Sequence, residues 1–394
     1  MGLFWLALCR RWKTTIKNRN MNICKIVISL MAVVLWASSA TASITINWKE
    51  ESAHLVTRGG YARIKAIDNH HAMVYGAGGA VWIRHSYDKC DSWSEPTEVA
   101  RANGYNYTNS EMLQLRSGKL IYMWNARPRK GTGQPFKIMY ATSDDGGRRW
   151  SKGHDLYIAS TEFRDGCWEP VALQLPSGEL HIYFANEAPY TYSSEQEITL
   201  LRSFDEGKTW GKAEKVSFRK GRRDGMPVPI YLPHSGEIAM AIEDNGIRGR
   251  FKPVIVRTKE NWKEGYVRGD DERREEALSP RWAVKDSIYA GAPYLIRLGE
   301  KHTLLSIQST EGRHGHDHKF ANMQVYVGNK NARYFRKRTT PLPQLGENGH
   351  ALWNSLAQID DKHVIAVMSV GGLDRGQNGV WTVVGEVVKR KRNR

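Results

Sequence analysis

Glu169, in Arg164-Asp-Gly-Cys-Trp-Glu-Pro170, and Glu243, in Ile238-Ala-Met-Ala-Ile-Glu-Asp-Asn-Gly246, each border a short apolar run that reads as a β-strand. Two carboxyl groups facing one bond are what acetal hydrolysis needs. One protonates the leaving oxygen, the other attacks the carbon or activates water, and in retaining chemistry they stand ~5–5.5 Å apart. Taken singly, a charged residue at a strand end equally well marks a solvated turn. The flanks argue against that reading. Glu187 closes Tyr183-Phe-Ala-Asn-Glu187, and Asn125 and Arg127 close Tyr122-Met-Trp-Asn-Ala-Arg127. Asp224 precedes one apolar run, Asn109 and Glu111 another, Tyr289 and Tyr294 a third, and Arg63 opens a fourth. With Trp168 beside Glu169, Asp244 after Glu243 and His316 further on, these residues offer the aromatic faces and polar groups that hold a sugar ring.

A scaffold that gathers them must bring distant strand ends to one place, and the chain shows a repeat able to do it. Ser143-Asp-Asp-Gly-Gly-Arg-Arg-Trp150 recurs sixty residues later as Ser203-Phe-Asp-Glu-Gly-Lys-Thr-Trp210, and a worn copy runs from Ser86 to Trp93. In such a motif Asp caps backbone N–H groups, Gly takes positive φ, and the Trp fills the space between neighbouring sheets. A second pattern, strand–Gly turn–strand, appears as Leu113-Gln-Leu-Arg-Ser-Gly-Lys-Leu120 and Leu173-Gln-Leu-Pro-Ser-Gly-Glu-Leu180. It recurs with drift at 230–238, 295–304, 356–364 and 63–73. No long stretch between 43 and 388 has helical period. Six units of roughly 55–65 residues predict an all-β, six-bladed β-propeller, with Ile44–Trp48 pairing into the last blade to close the ring. In that geometry the start of each first strand and the end of each second strand meet on one face near the axis, where the candidate residues lie.

The Ser-x-Asp-x-Gly-x-x-Trp segments resemble the Asp-boxes of sialidase-type propellers. Gly166–Leu180 with Tyr183–Glu187, and Arg223-Asp-Gly-Met-Pro-Val228 with Ala241–Asn245, resemble glycoside hydrolase family 93 over about residues 55–310. That resemblance implies an exported six-bladed propeller acting as a retaining exo-α-1,5-L-arabinanase on arabinan-type polysaccharide, with its two glutamates at Glu169 and Glu243. Apolar neighbours Trp168 and Pro170 suit Glu169 to the general acid, since an apolar setting raises a carboxyl pKa. Asp244 and Asn245 suggest a wetter setting for Glu243 as nucleophile. Three rivals stand beside this reading: a sialidase, another propeller glycosidase, and a carbohydrate-binding propeller. A sialidase would grip a carboxylate with three arginines and attack with a tyrosine, and only Arg63-Ile resembles the start of its first arginine motif. A carbohydrate-binding propeller without catalysis has no need of paired carboxylates.

Composition limits the remainder. Residues 1–42 read as a signal-peptide region, with the true start at Met21, an apolar stretch from Ile26 and small residues up to a cleavage site near Ala42. Export to periplasm or exterior is expected, with no lasting membrane insertion because the apolar run is short of the ~20 residues a span needs. The formal charge of +17 is carried largely by that leader and by the basic tail 389–394; the catalytic domain expected at 43–388 is left at +6, too little to argue for nucleic acid. Cys90 and Cys167 are expected as free buried thiols. The expected partner is an oligo- or polysaccharide met by a monomer, without a cofactor. His314-Gly-His-Asp-His318 has alternating histidines, but in a loop rich in Gly and charge; substrate contact by His316 or plain solvation is preferred to metal ligation.

Overall fold

The computed structural model describes residues 43–373 and 377–390, and residues Ile44–Val388 form one compact unit. The expected leader, its cleavage site and the end of the basic tail lie outside the described residues. Among the described residues no helix is long and apolar enough to cross a membrane.

Six antiparallel sheets succeed one another along the chain, each a four-stranded meander. Blade 1 comprises Gly60–Ile67, His70–Ala77, Ala80–Ser86 and Thr97–Ala100; blade 2 comprises Tyr105–Gln114, Leu120–Pro128, Lys137–Ser143 and His154–Ile158. Blade 3 follows with Cys167–Gln174, Leu180–Asn186, Glu197–Ser203 and Glu214–Ser217, and blade 4 with Asp224–Leu232, Glu237–Asp244, Lys252–Thr258 and Arg274–Glu276. Blade 5 is Ala290–Leu298, His302–Ser309, Asn322–Asn329 and Arg336–Thr339. Blade 6 takes His350–Gln358, His363–Gly371 and Gly379–Arg390 from the C-terminal end and completes itself with Ser43–Trp48. The ring is therefore closed by the first strand, as expected, and His54–Thr57 adds to the same sheet. The first strands of successive blades touch one another right round, ending with blade 6 against blade 1, so they line the axis. The chain is a six-bladed β-propeller.

Middle strands are buried on both faces because each blade is covered by two others. Leu120 to Trp124 are all inaccessible to solvent, so the strand reads as a continuous apolar run rather than an alternating one. Each such side chain contributes about 1.5–3 kcal/mol by leaving water. The repeated turns stitch the rim. Ser143 Oγ accepts the Gly147 N–H (2.9 Å), Asp145 Oδ1 accepts those of Arg148 and Arg149 (3.0 and 2.9 Å), and Trp150 donates to the Gly147 carbonyl (3.0 Å). Ser203 and Asp205 repeat the scheme. In the worn copy Cys90 sits at φ 70° with its N–H on Ser86 Oγ (2.9 Å), and the turn survives the loss of glycine. Cys90 and Cys167 are both free and buried.

One feature of the innermost strands governs everything at the axis. Each breaks register once, between Gly60 and Arg63, Thr108 and Glu111, Trp168 and Val171, Gly225 and Val228, Gly291 and Tyr294, and Leu352 and Ser355. Within each break one residue adopts a left-handed backbone: Tyr61, Asn109, Glu169, Met226, Ala292 and Trp353, with φ between 45° and 54°. Left-handed backbone costs a non-glycine residue roughly 1–2 kcal/mol, and a bulge re-aims a side chain. Six equivalent bulges thus present six side chains at one end of the axis.

Candidate active site

Four of those side chains, Tyr61, Asn109, Glu169 and Trp353, line a cavity of about 770 Å³, which shares Glu169, Glu243, Phe251 and Trp353 with a second lobe of about 530 Å³ that Met226 also lines. Tyr61, Met226 and Ala292 pack together with Trp353 as an apolar floor, with Tyr61 and Trp353 rings 6.2 Å apart. Asn109 and Glu169 complete the ring and supply its polar side.

Glu169 occupies the bulge of blade 3 rather than the segment before the strand, and it is half-buried. Its carboxyl is pushed up to about 7, first by desolvation and then by the negative charges of Glu243 and Glu187; Arg127 and Arg223 pull the other way. Arg127 is fixed by its own contacts. Its Nε donates to Asn125 Oδ1 (2.8 Å), a terminal nitrogen donates to Asn109 Oδ1 (2.6 Å), and its guanidinium lies 4.9 Å over the Trp168 ring. Trp168 packs against Phe136 and Phe163, and Gly166 leaves the space its ring occupies, since a Cβ there would collide with the indole.

Glu243 comes from the second strand of blade 4, opposite Gly225. Its Oε2 accepts the backbone N–H of Ala292 in blade 5 (2.7 Å). Glycine leaves room on both sides: a Cβ on Gly225 would meet Oε1 at 3.0 Å, and one on Gly291 would collide with Oε2 where it now stands. Burial pushes this carboxyl up to about 7 as well, against the Ala292 hydrogen bond and the charge of Arg223. The wetter setting expected from Asp244 and Asn245 is not found. Asp244 is fully buried with Arg274 (2.7 Å) and Arg219 (2.9 Å), and Asn245 accepts the Arg223 N–H (2.9 Å).

Of the expected sugar-binding residues, Asn109, Arg127, Trp168 and Glu187 line the larger lobe and His316 the smaller. Six others do not reach either lobe. Asp224 pairs with Arg274 (2.6 Å) in the same buried network as Asp244, because both belong to strand positions that face into the blade. Asn125 is buried and spends its amide on the Lys137 and Cys167 carbonyls (3.0 and 2.8 Å), acting only through Arg127. Arg63, Glu111 and Tyr294 lie one layer deeper along the axis. Arg63 donates to the Trp353 carbonyl (2.9 Å), Lys65 ion-pairs with Glu111 (2.7 Å), and Tyr294 bonds to Lys65 (2.9 Å). The bulge explains this: it turns the next residue but one, not its neighbour, down the axis.

Tyr61, Phe163, Arg223, Phe251, Tyr289, His350 and Trp353 also line the lobes. Arg223 pairs with Glu187 across the mouth. Arg223, Tyr289 and Trp353 carried a signal in the sequence, lying at strand openings of the repeat. Phe251 and Phe163 sit in connections and carried none. Among the described residues no group of three or more His, Cys, Asp or Glu could hold a metal ion.

No protein-family model matches the sequence, and no curated protein matches it. Solved structures do match. The GH93 α-L-arabinofuranosidase of Fusarium graminearum with arabinobiose is 17% identical, with a TM-score of 0.61, over 87% of this chain and 94% of that one. The Penicillium chrysogenum α-L-arabinanase complexed with arabinobiose is 17% identical, with a TM-score of 0.58, over 89% of this chain and 98% of that one. NanB sialidase from Streptococcus pneumoniae is 12% identical, with a TM-score of 0.56, over 85% of this chain and 70% of that one. The chain shares its propeller fold with both kinds of protein.

Proposed function

We propose that this protein is a retaining exo-glycoside hydrolase that removes α-L-arabinofuranosyl units from arabinan-type polysaccharide, with Glu169 and Glu243 as the catalytic pair. The observation that carries the reading is that two carboxyls from adjacent blades line one cavity, where burial pushes both up to about 7. The fold shared with two arabinose-releasing enzymes supports the choice of sugar.

Two carboxylates that repel one another hold one proton between them. Glu243 is given the anionic role, because it accepts the Ala292 N–H, a bond that favours its charged form. Glu169 is given the proton, because burial, Glu243 and Glu187 oppose its ionisation against the pull of Arg127 and Arg223. Glu243 then attacks the anomeric carbon while Glu169 protonates the departing oxygen, giving a covalent glycosyl-enzyme and a free alcohol. Water enters, loses its proton to Glu169 and displaces Glu243, which returns the pair to its starting state and retains the anomeric configuration. Tyr61 and Trp353 offer the floor for the apolar face of the ring; Asn109, Arg127 and Glu187 offer hydrogen bonds to its hydroxyls.

A sialidase finds less support. Arg127 and Arg223 line the cavity, but Arg63 lies beneath it, so the three arginines do not converge there. The protein incubated with arabino-oligosaccharides and with a sialoside, followed by NMR, decides the matter: early release of an α-configured arabinofuranosyl product supports the proposal. Release of sialic acid alone, or binding of arabinan without turnover, sinks it. The rate should follow a bell centred near neutrality, the acid limb marking ionisation of Glu243 and the alkaline limb loss of the proton on Glu169. The enzyme is proposed to reach its polysaccharide by export under the leader read at 1–42; the N-terminal sequence of the protein recovered outside the cytoplasm tests that.

A further inference from the structure

Tyr289 opens the innermost strand of blade 5 and lines the smaller lobe with both glutamates, yet the mechanism above gives it no part. Its phenol is bonded to Gln308, whose amide orientation is fixed from elsewhere. The backbone N–H of Trp353 can only donate, and it donates to Gln308 Oε1 (2.8 Å). The other end of that amide, Nε2, must then donate to Tyr289 Oη, at 2.7 Å. Tyr289 is the acceptor in that bond, so its own proton has to be given to something else. The place it faces is the space left by the missing side chain of Gly291. A Cβ there would lie 2.6 Å from Tyr289 Oη and would also collide with Glu243 Oε2, so the two oxygens border the same gap.

We infer that Tyr289 is a positioning residue whose hydroxyl proton is directed, by Gln308 and through Trp353, at the Glu243 carboxylate. The inference rests on Glu243 as nucleophile. The gap at Gly291 lies between the two oxygens, and Ala292, the next residue, already donates its N–H to the same carboxylate. Two donors on one carboxylate hold it ionised and turn one lone pair toward the cavity. The hydroxyl keeps its proton throughout the working range, since burial and the nearby charge of Glu243 hold it well above the usual phenol value. The other charged or titratable groups around the pair are Arg223 from blade 4, Glu169 from blade 3, Arg250 from the connection after the second strand of blade 4, and His316, Asp317 and His318 from the loop after the second strand of blade 5.

The test is Tyr289→Phe in the intact chain, read in two ways. The Glu243 carboxyl, labelled with carbon-13 and assigned by loss of its signal in Glu243→Gln, should titrate ~0.5–1 pH unit higher in the variant than in wild type. The acid limb of kcat/KM should move up by the same amount and kcat should fall about tenfold, with KM changed far less. Gln308→Glu is the second variant: it still accepts the Trp353 N–H but offers Tyr289 a carboxylate oxygen, drawing the phenol proton away, and should also raise the Glu243 titration. An unmoved Glu243 titration in both folded variants overturns the inference. Wild type that turns over no glycoside sinks the proposed function instead, and the carboxyl titration can still be read.

Discussion

In blades 4, 5 and 6 one position on the second strand does the same structural task with three different side chains. Glu243 accepts the N–H of Ala292 (2.7 Å), Gln308 that of Trp353 (2.8 Å) and Ser369 that of Tyr61 (2.8 Å). Each bond ties a second strand to the left-handed residue of the next blade, where the bulge leaves that N–H without a ladder partner. An amide and a hydroxyl suffice in blades 5 and 6, so the negative charge in blade 4 is surplus to the fold. It is also costly, because burial opposes it. A charge that the architecture does not need, kept where it is disfavoured, is the mark of a group retained for chemistry.

The sharpest way to break that comparison is to make blade 4 resemble blade 5. Glu243→Gln should fold normally, since Gln308 shows that an amide satisfies the same N–H, while turnover falls by about 10³-fold or more. Glu169→Gln should lose comparable activity on natural linkages and much less on an aryl glycoside whose leaving group needs no proton. Circular dichroism and initial rates on both substrates read the outcome. A Glu243→Gln variant that unfolds, or one that keeps wild-type turnover, removes the distinction between the blades.

Asp244, the next residue, sharpens the contrast from the other side. Its carboxylate is inaccessible and holds Arg274 and Arg219, with Asp224 and Ser217 completing the network. Asp244→Ala leaves Arg274 with one carboxylate, Asp224, in place of two and takes the carboxylate from Arg219, and breaking a buried pair in this way costs about 3–5 kcal/mol. A lower urea midpoint at unchanged slope measures it. Neighbours one residue apart thus carry opposite duties, one charge for the fold and one for the site.

That alternation is also where sequence reading succeeded and failed. The turns that keep their glycine at Gly147 and Gly207 revealed the period, and the strand–Gly turn–strand pattern counted the six blades. Turns of similar build at Thr258–Trp262 and Asn329–Ala332 were not recognised, because Trp262 (φ 68°) and Ala332 (φ 51°) stand at positive φ without glycine. At the axis the sequence told which strand ends converge, and Glu169, Glu243, Asn109, Arg127 and Glu187 do line one cavity. It did not tell which way each side chain points. A strand alternates faces with period two, and a bulge at Tyr61, Asn109 or Glu169 resets that alternation without a compositional signal. Arg63, Glu111 and Tyr294 were misplaced by that reset. Asp224 and Asp244 were misplaced because their partner, Arg274, comes from an outer strand thirty or more residues away.

The surplus charge has a thermodynamic signature as well. Glu243 is raised in the folded state above its ordinary 4.5, so the folded protein binds that proton more tightly than the unfolded chain does. Stability on this account is highest below pH 4.5, declines as pH rises, and has lost the full amount above pH 7. Glu243→Gln removes a cost that exists only at the upper end. Its melting temperature should exceed wild type by about 1–3 °C at pH 8 and match it near pH 4. Equal differences at both pH values would mean that packing, not ionisation, set the change.

The smallest expected effect lies in blade 6. Ser369→Ala leaves the Tyr61 N–H without its acceptor, and an orphaned buried donor costs about 1–3 kcal/mol. The low end applies here, because Ser369 and Gly60 border the cavity and water can enter to replace the hydroxyl. A melting temperature lowered alike at pH 4 and pH 8 is the expected result, in contrast to the pH-dependent gain at Glu243. A pH-dependent change at Ser369→Ala would mean that the serine tunes a charge, and blades 4 and 6 would then differ in degree rather than in kind.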